Sequence, residues 1–362
     1  MDNQLKDKLQ AIIVGHALGD ALGAPSEFFP FAKYTGKLEH PIVRFTRAYG
    51  RQSGAVGQIT DDTEMAIALL RTISIGYTKQ KAIMEYMSWA NNLPGPNEST
   101  DLKGNCPFMG KNTRNLFVIN KGSKPTEQLY NNRFNKVFPT ENSKQDSQSN
   151  GVLMRAYPLA FVNDPDILTT DVELTNPSSV AKNATEVYVA AIRMAINNTP
   201  KTEIMENLKK MITEPSLLIA YNQACNNEFR NVTINRGHLV HSFYCAFWGL
   251  FNFSDYKSAI DAIICLGPSP DLPAKIAVPG NWKKSEVIVS DTDTNAAIAG
   301  ALLGAYYGYK NMLNNSINKE NIDVLLNCNP NKADIKRPVR YILNTENFEL
   351  LVNRVCTNVY VE

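Results

Sequence analysis

The run SDTDTNAAIAGALLGAYYGY at positions 290–309 constrains this chain more than any other stretch. Asp291 and Asp293 stand two residues apart beside Thr292 and Thr294, and no further charge follows until Lys310. Ser, Asp and Thr favour helix N-termini, where the first backbone N–H groups lack intrahelical partners. The Ala, Ile and Leu that follow are helix formers. The pattern predicts a helix beginning near Asp293 with two acids crowded at its mouth. Gly300, Gly304 and Gly308 recur every fourth position and so form one stripe along that helix. Three glycines weaken a helix by roughly 2–3 kcal/mol relative to alanine. What such a stripe permits is very close approach of a neighbouring backbone. A helix that is weakened and yet free of charge belongs at the buried centre of its fold.

A matching ladder occurs near the start. Residues 5–24, LKDKLQAIIVGHALGDALGA, carry apolar positions at helical spacing, with Gly15, Gly19 and Gly23 again in register. The two laddered helices are suited to pack against each other. His16 reads as a satisfied core histidine, Asp20 interrupts the apolar run, and Pro25 ends the helix. Glu27 follows among Phe28, Phe29 and Phe31. A third segment, ITDDTEMAIALLRTI at 59–73, offers Thr60 or Asp61 as an N-cap and places Asp62 and Glu64 in the first turn, where negative charge is favoured. This is a second helix mouth with paired carboxylates.

Further helical patterns lie at about 79–92, 178–197, 201–213, 215–229, 236–252 and 255–265, and another begins in GKNTRNLFVIN. His238 and His241 fall on one of these and line a packed helix. Residues 131–149 are polar and read as a nearly structureless functional loop. Asn150-Gly151 is a turn opening an apolar helix, SEVIV at 285–289 is a strand candidate, and the tail from 310 holds one or two polar helices.

Composition excludes some functions. A net charge of +2, with no basic block, gives no nucleic-acid patch. No apolar run reaches the roughly 18 residues of a membrane span, and the N-terminus lacks the apolar core of a signal peptide. Six widely spaced cysteines without a C-x-x-C pair read as free thiols in a reducing, cytoplasmic setting.

Four carboxylates brought together repel, so their convergence implies a cation. Thr60 and Thr294 add hydroxyl oxygens. Ligation by oxygen alone points to Mg²⁺ or Mn²⁺ rather than Zn²⁺, and the number of acids suits two ions. Taken singly, each motif has a plainer meaning: a cap for T-D-D-T-E, packing for the glycine stripes. Spacing alone does not show that the two mouths meet. A rival reading starts from VIVSDTDT, an apolar run before D-x-D, as in a haloacid-dehalogenase-like phosphatase with Asp291 as nucleophile and Asp293 as general acid. It requires a parallel strand before Asp291 and leaves Thr60, Asp61 and Asp62 without a role.

GHALGDALGAPSEF, GQITDDTEMAIAL, SNGVLMRAYPLA and SDTDTNAAIAGALLGAYYG, in that order over about 9–309, resemble the ADP-ribosylglycohydrolase family. The resemblance implies an all-α fold: a compact single-domain orthogonal helical bundle over 1–362, including the tail 310–362, with a central binuclear metal cleft holding two Mg²⁺ or Mn²⁺. Thr60, Asp61 and Asp62 match metal ligands of the family's first acidic motif, and Asp291, Asp293 and Thr294 those of its last. Glu27 matches the acid placed beside metals and ribose, and is carried over as catalytic together with Asp62 and Asp291. Ser147, Asn150 and Gly151 match the loop that holds the diphosphate, where helix-start N–H groups suit an anion. Met154 and Arg155 complete that motif as structural residues. The implied reaction is hydrolysis of the bond between ribose C1″ and a modified side chain, with the ADP-ribose moiety of a protein or small molecule as partner and a monomer as the expected state. A family member that binds ADP-ribose without turnover is the alternative. Three positions depart from the family pattern: Val289-Ser290 in place of Gly-Gly, Thr175-Asn176-Pro177 in place of Thr-His-Pro, and Phe108 where some bacterial relatives have Asp.

Overall fold

The computed structural model describes residues 3–27, 42, 54–95, 102, 104–271 and 289–358. All regular structure among them is helical. The elements are α1 (Asn3–Gly23), α2 (Asp61–Ser74), α3 (Lys79–Ala90), α4 (Lys111–Phe117), α5 (Glu127–Val137), α6 (Glu141–Gln145), α7 (Pro165–Glu173) and α8 (Ser179–Ile196). They continue as α9 (Lys201–Met211), α10 (Pro215–Cys225), α11 (Leu239–Asn252), α12 (Tyr256–Ile264), α13 (Thr292–Tyr307), α14 (Tyr309–Asn314), α15 (Ser316–Leu326) and α16 (Thr345–Asn358). Short 3₁₀ turns join some of them, and an isolated antiparallel bridge pairs Ser149 with His238. The all-α expectation holds.

The centre is the pair α1 and α13, which share the most extensive helix–helix contact of the fold. Every residue of α13 from Thr292 to Ala305 is buried, as is α1 from Ala11 to Gly23. The glycine ladders explain how. A Cβ on Gly19 would lie 2.2 Å from the Ala296 carbonyl oxygen, and one on Gly304 would lie 2.1 Å from that of Ala11. Four steps up one helix match four steps down the other, so the two run antiparallel with backbones in contact. α8, α11 and α12 cover the remaining sides of α13 with larger side chains, including Tyr188, whose hydroxyl donates to the Ile298 carbonyl at 2.8 Å.

Two expectations need correction, and a third goes untested. The polar stretch 131–149 is mostly helical, belonging to α5 and α6. Thr126 caps α5, and Thr140 caps α6 in a reciprocal capping box with Ser143, which satisfies orphan N–H groups that an apolar face does not cover. After Asn150-Gly151 comes no apolar α-helix but two 3₁₀ turns, Asn150–Val152 and Tyr157–Phe161, the second carrying Pro158 in its opening turn. The strand candidate at 285–289 lies outside the described residues except for Val289, which is in no strand.

The tail, expected to hold one or two helices, forms three, α14 to α16, and is anchored beside α2. Arg337, 1% exposed, meets the equally buried Glu64 at 2.7 Å. Trp89 donates its indole N–H to the same carboxylate at 2.8 Å. Glu64, expected to serve the helix dipole, is thus the buried counter-ion of a residue 273 positions away. All six cysteines are free thiols, and no helix among the described residues is long and apolar enough to cross a membrane.

Candidate metal centre

Because α1 and α13 run antiparallel, the C-terminal end of α1 lies against the mouth of α13. A Cβ on Gly23 would stand 2.5 Å from the backbone nitrogen of Asp293, and Thr292 Oγ1 donates to the Gly23 carbonyl at 2.8 Å. Asp291 is the N-cap of α13, yet its carboxylate makes no capping bond. It is held sideways by Asn150, whose Nδ2 donates to Oδ2 at 2.6 Å. Ser242 Oγ lies 3.2 Å from the same Asn150 nitrogen and donates to Asn295 Oδ1 at 2.6 Å, fixing the amide from behind.

The second mouth arrives through Asp20, which sequence reasoning noted but gave no role. Thr60, the N-cap of α2, makes no capping bond of its own. Asp20 caps α2 from α1 instead. Its carboxylate accepts from the backbone N–H of Thr60 at 3.0 Å and of Thr63 at 3.2 Å, and from their hydroxyls at 2.9 and 2.6 Å. His16 stands behind: Nδ1 lies 3.2 Å from Thr63 Oγ1, and Nε2–H donates to the Met154 carbonyl at 2.6 Å. Burial holds this imidazole down near pKa 4, so it is a neutral, buried core histidine as the sequence suggested, and Met154 serves the scaffold.

Carboxylate oxygens of Asp20, Asp62 and Asp293 lie within 4.8 Å of one another, as do those of Glu27, Asp291 and Asp293. Asp293 belongs to both groups. The members differ in what remains open. Asp20 has both oxygens occupied by the start of α2, and we read it as support rather than as a ligand. Asp62 Oδ2 lies 2.9 Å from Thr60 Oγ1, whose single proton it shares with Asp20, while its Oδ1 is buried with no hydrogen-bond partner among the described residues. The Thr294 side chain, between the two mouths, works against the rise of both the Asp62 and the Asp291 carboxyl. Asp61 is only half-buried and belongs to neither group, but its charge still bears on Asp62.

Electrostatics carry the mark of this crowding. Burial, then the charges of Asp20, Asp61 and Asp291, pushes the Asp62 carboxyl well above its ordinary range. Burial, then Glu27, Asp62, Asp291 and Asp20, does the same to Asp293. Burial also raises Asp291, and raises Asp20 to about 6 despite its four donors. A bare buried carboxylate oxygen among several acids, with only oxygen donors around it, fits a hard divalent cation.

Of the expected substrate residues, Asn150 touches the acids directly. Ser147 is buried with its hydroxyl on the Thr175 carbonyl at 3.1 Å, and Gly151 lies beside Ser149, where a Cβ would be 3.8 Å from its Oγ. Arg155 is scaffold: it forms a buried ion pair with Asp171 at 3.1 Å and donates to the Gly151 carbonyl at 2.7 Å. A turn that the sequence did not mark faces this loop. In it Asn235 has a left-handed φ of 51°, and a Cβ on Gly237 would be 3.7 Å from Asp291 Oδ2. Arg236 in this turn is half-buried, and the Asp291 charge partly offsets what burial costs its guanidinium.

The family model for ADP-ribosylglycohydrolase matches residues 1–277 and 288–334. The chain belongs to this family. An ADP-ribosylarginine hydrolase Tri1 from Pseudomonas putida is 26% identical over 322 residues, covering 85% of this chain and 73% of that protein. A putative ADP-ribosyl glycohydrolase L543 from Acanthamoeba polyphaga mimivirus is 26% identical over 359 residues, covering 91% and 93%. The solved structure of an ADP-ribosylglycohydrolase-related protein complex superposes with a TM-score of 0.59 at 20% identity over 98% of both chains, a likeness of fold. Among the described residues no parallel sheet presents Asp291 as a phosphatase nucleophile, and the family match leaves that reading without support.

The departures from the family pattern leave the acids intact. Phe108 is buried, 7% exposed, and packs in the core. Val289 and Ser290 are fully buried just before Asp291, and Ser290 Oγ has no partner among the described residues. Asn176 grips the 147–149 loop through its amide nitrogen.

Proposed function

We propose that this ADP-ribosylglycohydrolase is a divalent-metal-dependent enzyme that cleaves the C1″ glycosidic bond between ADP-ribose and a modified protein side chain, using two Mg²⁺ or Mn²⁺. The observation that carries the reading is the pair of carboxylate groups sharing Asp293, with Asp62 Oδ1 left bare beside them. Thr60, Asp61, Asp62, Asp291, Asp293 and Thr294 would hold the ions. Bound there, divalent cations supply Lewis acidity toward ribose hydroxyls and a water at neutral pH.

The protein's own groups do the rest. Glu27 lies in the same group as Asp291 and Asp293, just beyond the end of α1, placed to accept or return a proton at the glycosidic bond. Asn150 fixes the rotamer of Asp291, and Asp20 with Thr63 and His16 fixes the start of α2 and hence Asp62. The loop at 147–151 would carry the diphosphate, with Ser147, Asn150 and Gly151 as its contacts.

An arginine linkage is favoured, because relatives in two bacteria are named ADP-ribosylarginine hydrolases. The complete acid set supports turnover over a family member that only binds ADP-ribose. The test is ADP-ribose release from arginine-linked and serine-linked substrates, with and without Mg²⁺. Release from the arginine-linked substrate that stops when metal is chelated is the expected result. No release from either substrate at saturating Mg²⁺ or Mn²⁺, with ADP-ribose still bound, would establish the binding-only alternative.

A further inference from the structure

Two buried polar side chains stand behind Asn150 that neither helix capping nor apolar packing requires. Ser242 lies in the first turn of α11, and Asn295 lies one turn along α13 from Asp291, to whose carbonyl its N–H donates at 3.0 Å. Both are 0% exposed. Asn295 Nδ2 is buried with no hydrogen-bond partner among the described residues. An unpaired buried amide N–H is destabilising, and an apolar side chain of similar size would avoid that loss. What the asparagine adds at this position is its oxygen.

The direction of each bond follows from the carboxylate at one end. Asp291 Oδ2 accepts, so the Asn150 atom 2.6 Å from it is the amide nitrogen. The same nitrogen lies 3.2 Å from Ser242 Oγ, so the hydroxyl accepts there and its own proton goes elsewhere. Asn295 Oδ1, 2.6 Å away, takes it. With Asn295 turned the other way, Nδ2 would face Ser242 Oγ, and the hydroxyl would meet a donor on both sides. Both amide hydrogens of Asn150 are thus engaged, one by Asp291 and one by Ser242, which fixes the plane of the amide. Its backbone N–H, on the Gly237 carbonyl at 2.9 Å, fixes the other end of the residue.

We propose that Ser242 and Asn295 are positioning residues of the metal centre: by orienting the Asn150 amide they hold Asp291 Oδ2 in place and so set the affinity of the site for a divalent cation. This deepens the metal-dependent reading and rests on it. Hydrogen bonds behind a ligating carboxylate orient it, and loss of one typically weakens metal binding by about 10- to 100-fold. Ser242 has its hydroxyl engaged by Asn150 on one side and Asn295 on the other, so it acts through Asn150.

Titration of the metal-free full chain with Mn²⁺, with free Mn²⁺ read from its electron paramagnetic resonance signal, tests this without turnover. Ser242→Ala should bind Mn²⁺ at least about 10-fold more weakly than the parent. Ser242→Ala combined with Asn295→Leu replaces both partners of the inner bond by apolar groups, so in chelator it should melt close to the parent. It should nevertheless keep the full loss of affinity, which a purely structural role would not produce. In an Asn150→Ala background neither change should weaken Mn²⁺ binding further. Should the double variant fail to fold, Ser242→Ala alone, which removes a single hydroxyl, carries the comparison. Parental Mn²⁺ affinity in these variants, or a further loss on top of Asn150→Ala, overturns the assignment. A parent protein that binds no Mn²⁺ overturns the metal-dependent reading itself, so the two failures are distinguishable.

Discussion

Gly15 and Gly300 occupy each other's side-chain space. A Cβ on Gly15 would stand 2.4 Å from the Gly300 carbonyl oxygen, and one on Gly300 would stand 2.2 Å from that of Gly15. Atoms do not approach so closely, so neither position accepts even alanine without a shift of the helices. The carboxylates at the far end of the α1–α13 pair depend on this contact for their spacing.

Gly304 tests that dependence. On helix propensity alone, Gly304→Ala would gain up to about 1 kcal/mol. The Ala11 carbonyl oxygen at 2.1 Å from the new Cβ reverses the sign. Gly304→Ala should lose about 1–3 kcal/mol, and Gly304→Leu more. In thermal melts both variants should also show a smaller Mg²⁺-induced shift than the parent. A Gly304→Ala protein that melts at or above the parent would mean that the backbones are not in contact.

Asp62→Asn and Asp293→Asn should each abolish hydrolysis while leaving the metal-free protein as stable as the parent, or more stable by about 1 kcal/mol, because one of several crowded buried charges is gone. The melting shift on adding Mg²⁺ should shrink in both. Turnover retained in either variant at saturating metal rules out the proposed ligand roles.

The raised carboxyl groups also set a pH dependence. Asp20 moves from 3.8 to about 6, and Asp62, Asp291 and Asp293 are raised as well. A group whose folded pKa is raised stabilises fully below its unfolded pKa and loses that contribution as pH rises through the folded value. The metal-free parent should therefore lose stability relative to Asp62→Asn as pH climbs from about 4 to beyond 6. Comparison with the variant is necessary because His16 and His241, both lowered to about 4, act in the opposite sense and lose stability as pH falls below 6.5. Urea melts in chelator across this range give the difference, and added Mg²⁺ should flatten it. A parent-minus-variant difference that is constant with pH contradicts the crowding.

Arg337→Ala leaves the Glu64 carboxylate buried without its counter-ion and should cost about 3–5 kcal/mol in urea unfolding. Glu64→Gln combined with Arg337→Met removes both charges and should lose clearly less than Arg337→Ala. Equal losses would show that packing around Trp89 and Asn92, rather than charge, holds the tail to α2.

Much of this was legible along the chain. The two glycine ladders marked where two helices can touch, and the paired acids marked two apolar helix starts as candidate ligand sources, without showing that the two starts meet. α5 and α6 were not legible because they lack a strong apolar face; Thr126 and Thr140 as caps were the available signal. Asn176 looked only like a missing histidine, since nothing local shows that its amide reaches a loop 27 residues away.

The sequence by itself determined which residue types carry the chemistry and where two helices can touch, because capping preference and glycine spacing are local properties of the chain. Only the tertiary structure decided which carboxylates stay open. Asp20 and Asp62 are equally acidic on paper, yet one has both oxygens occupied by the N-terminus of α2 and the other keeps a bare oxygen beside Asp293. Hydrogen-bond capacity is taken up by whichever donors folding brings near, and here those donors lie 40 residues or more from Asp20 along the chain.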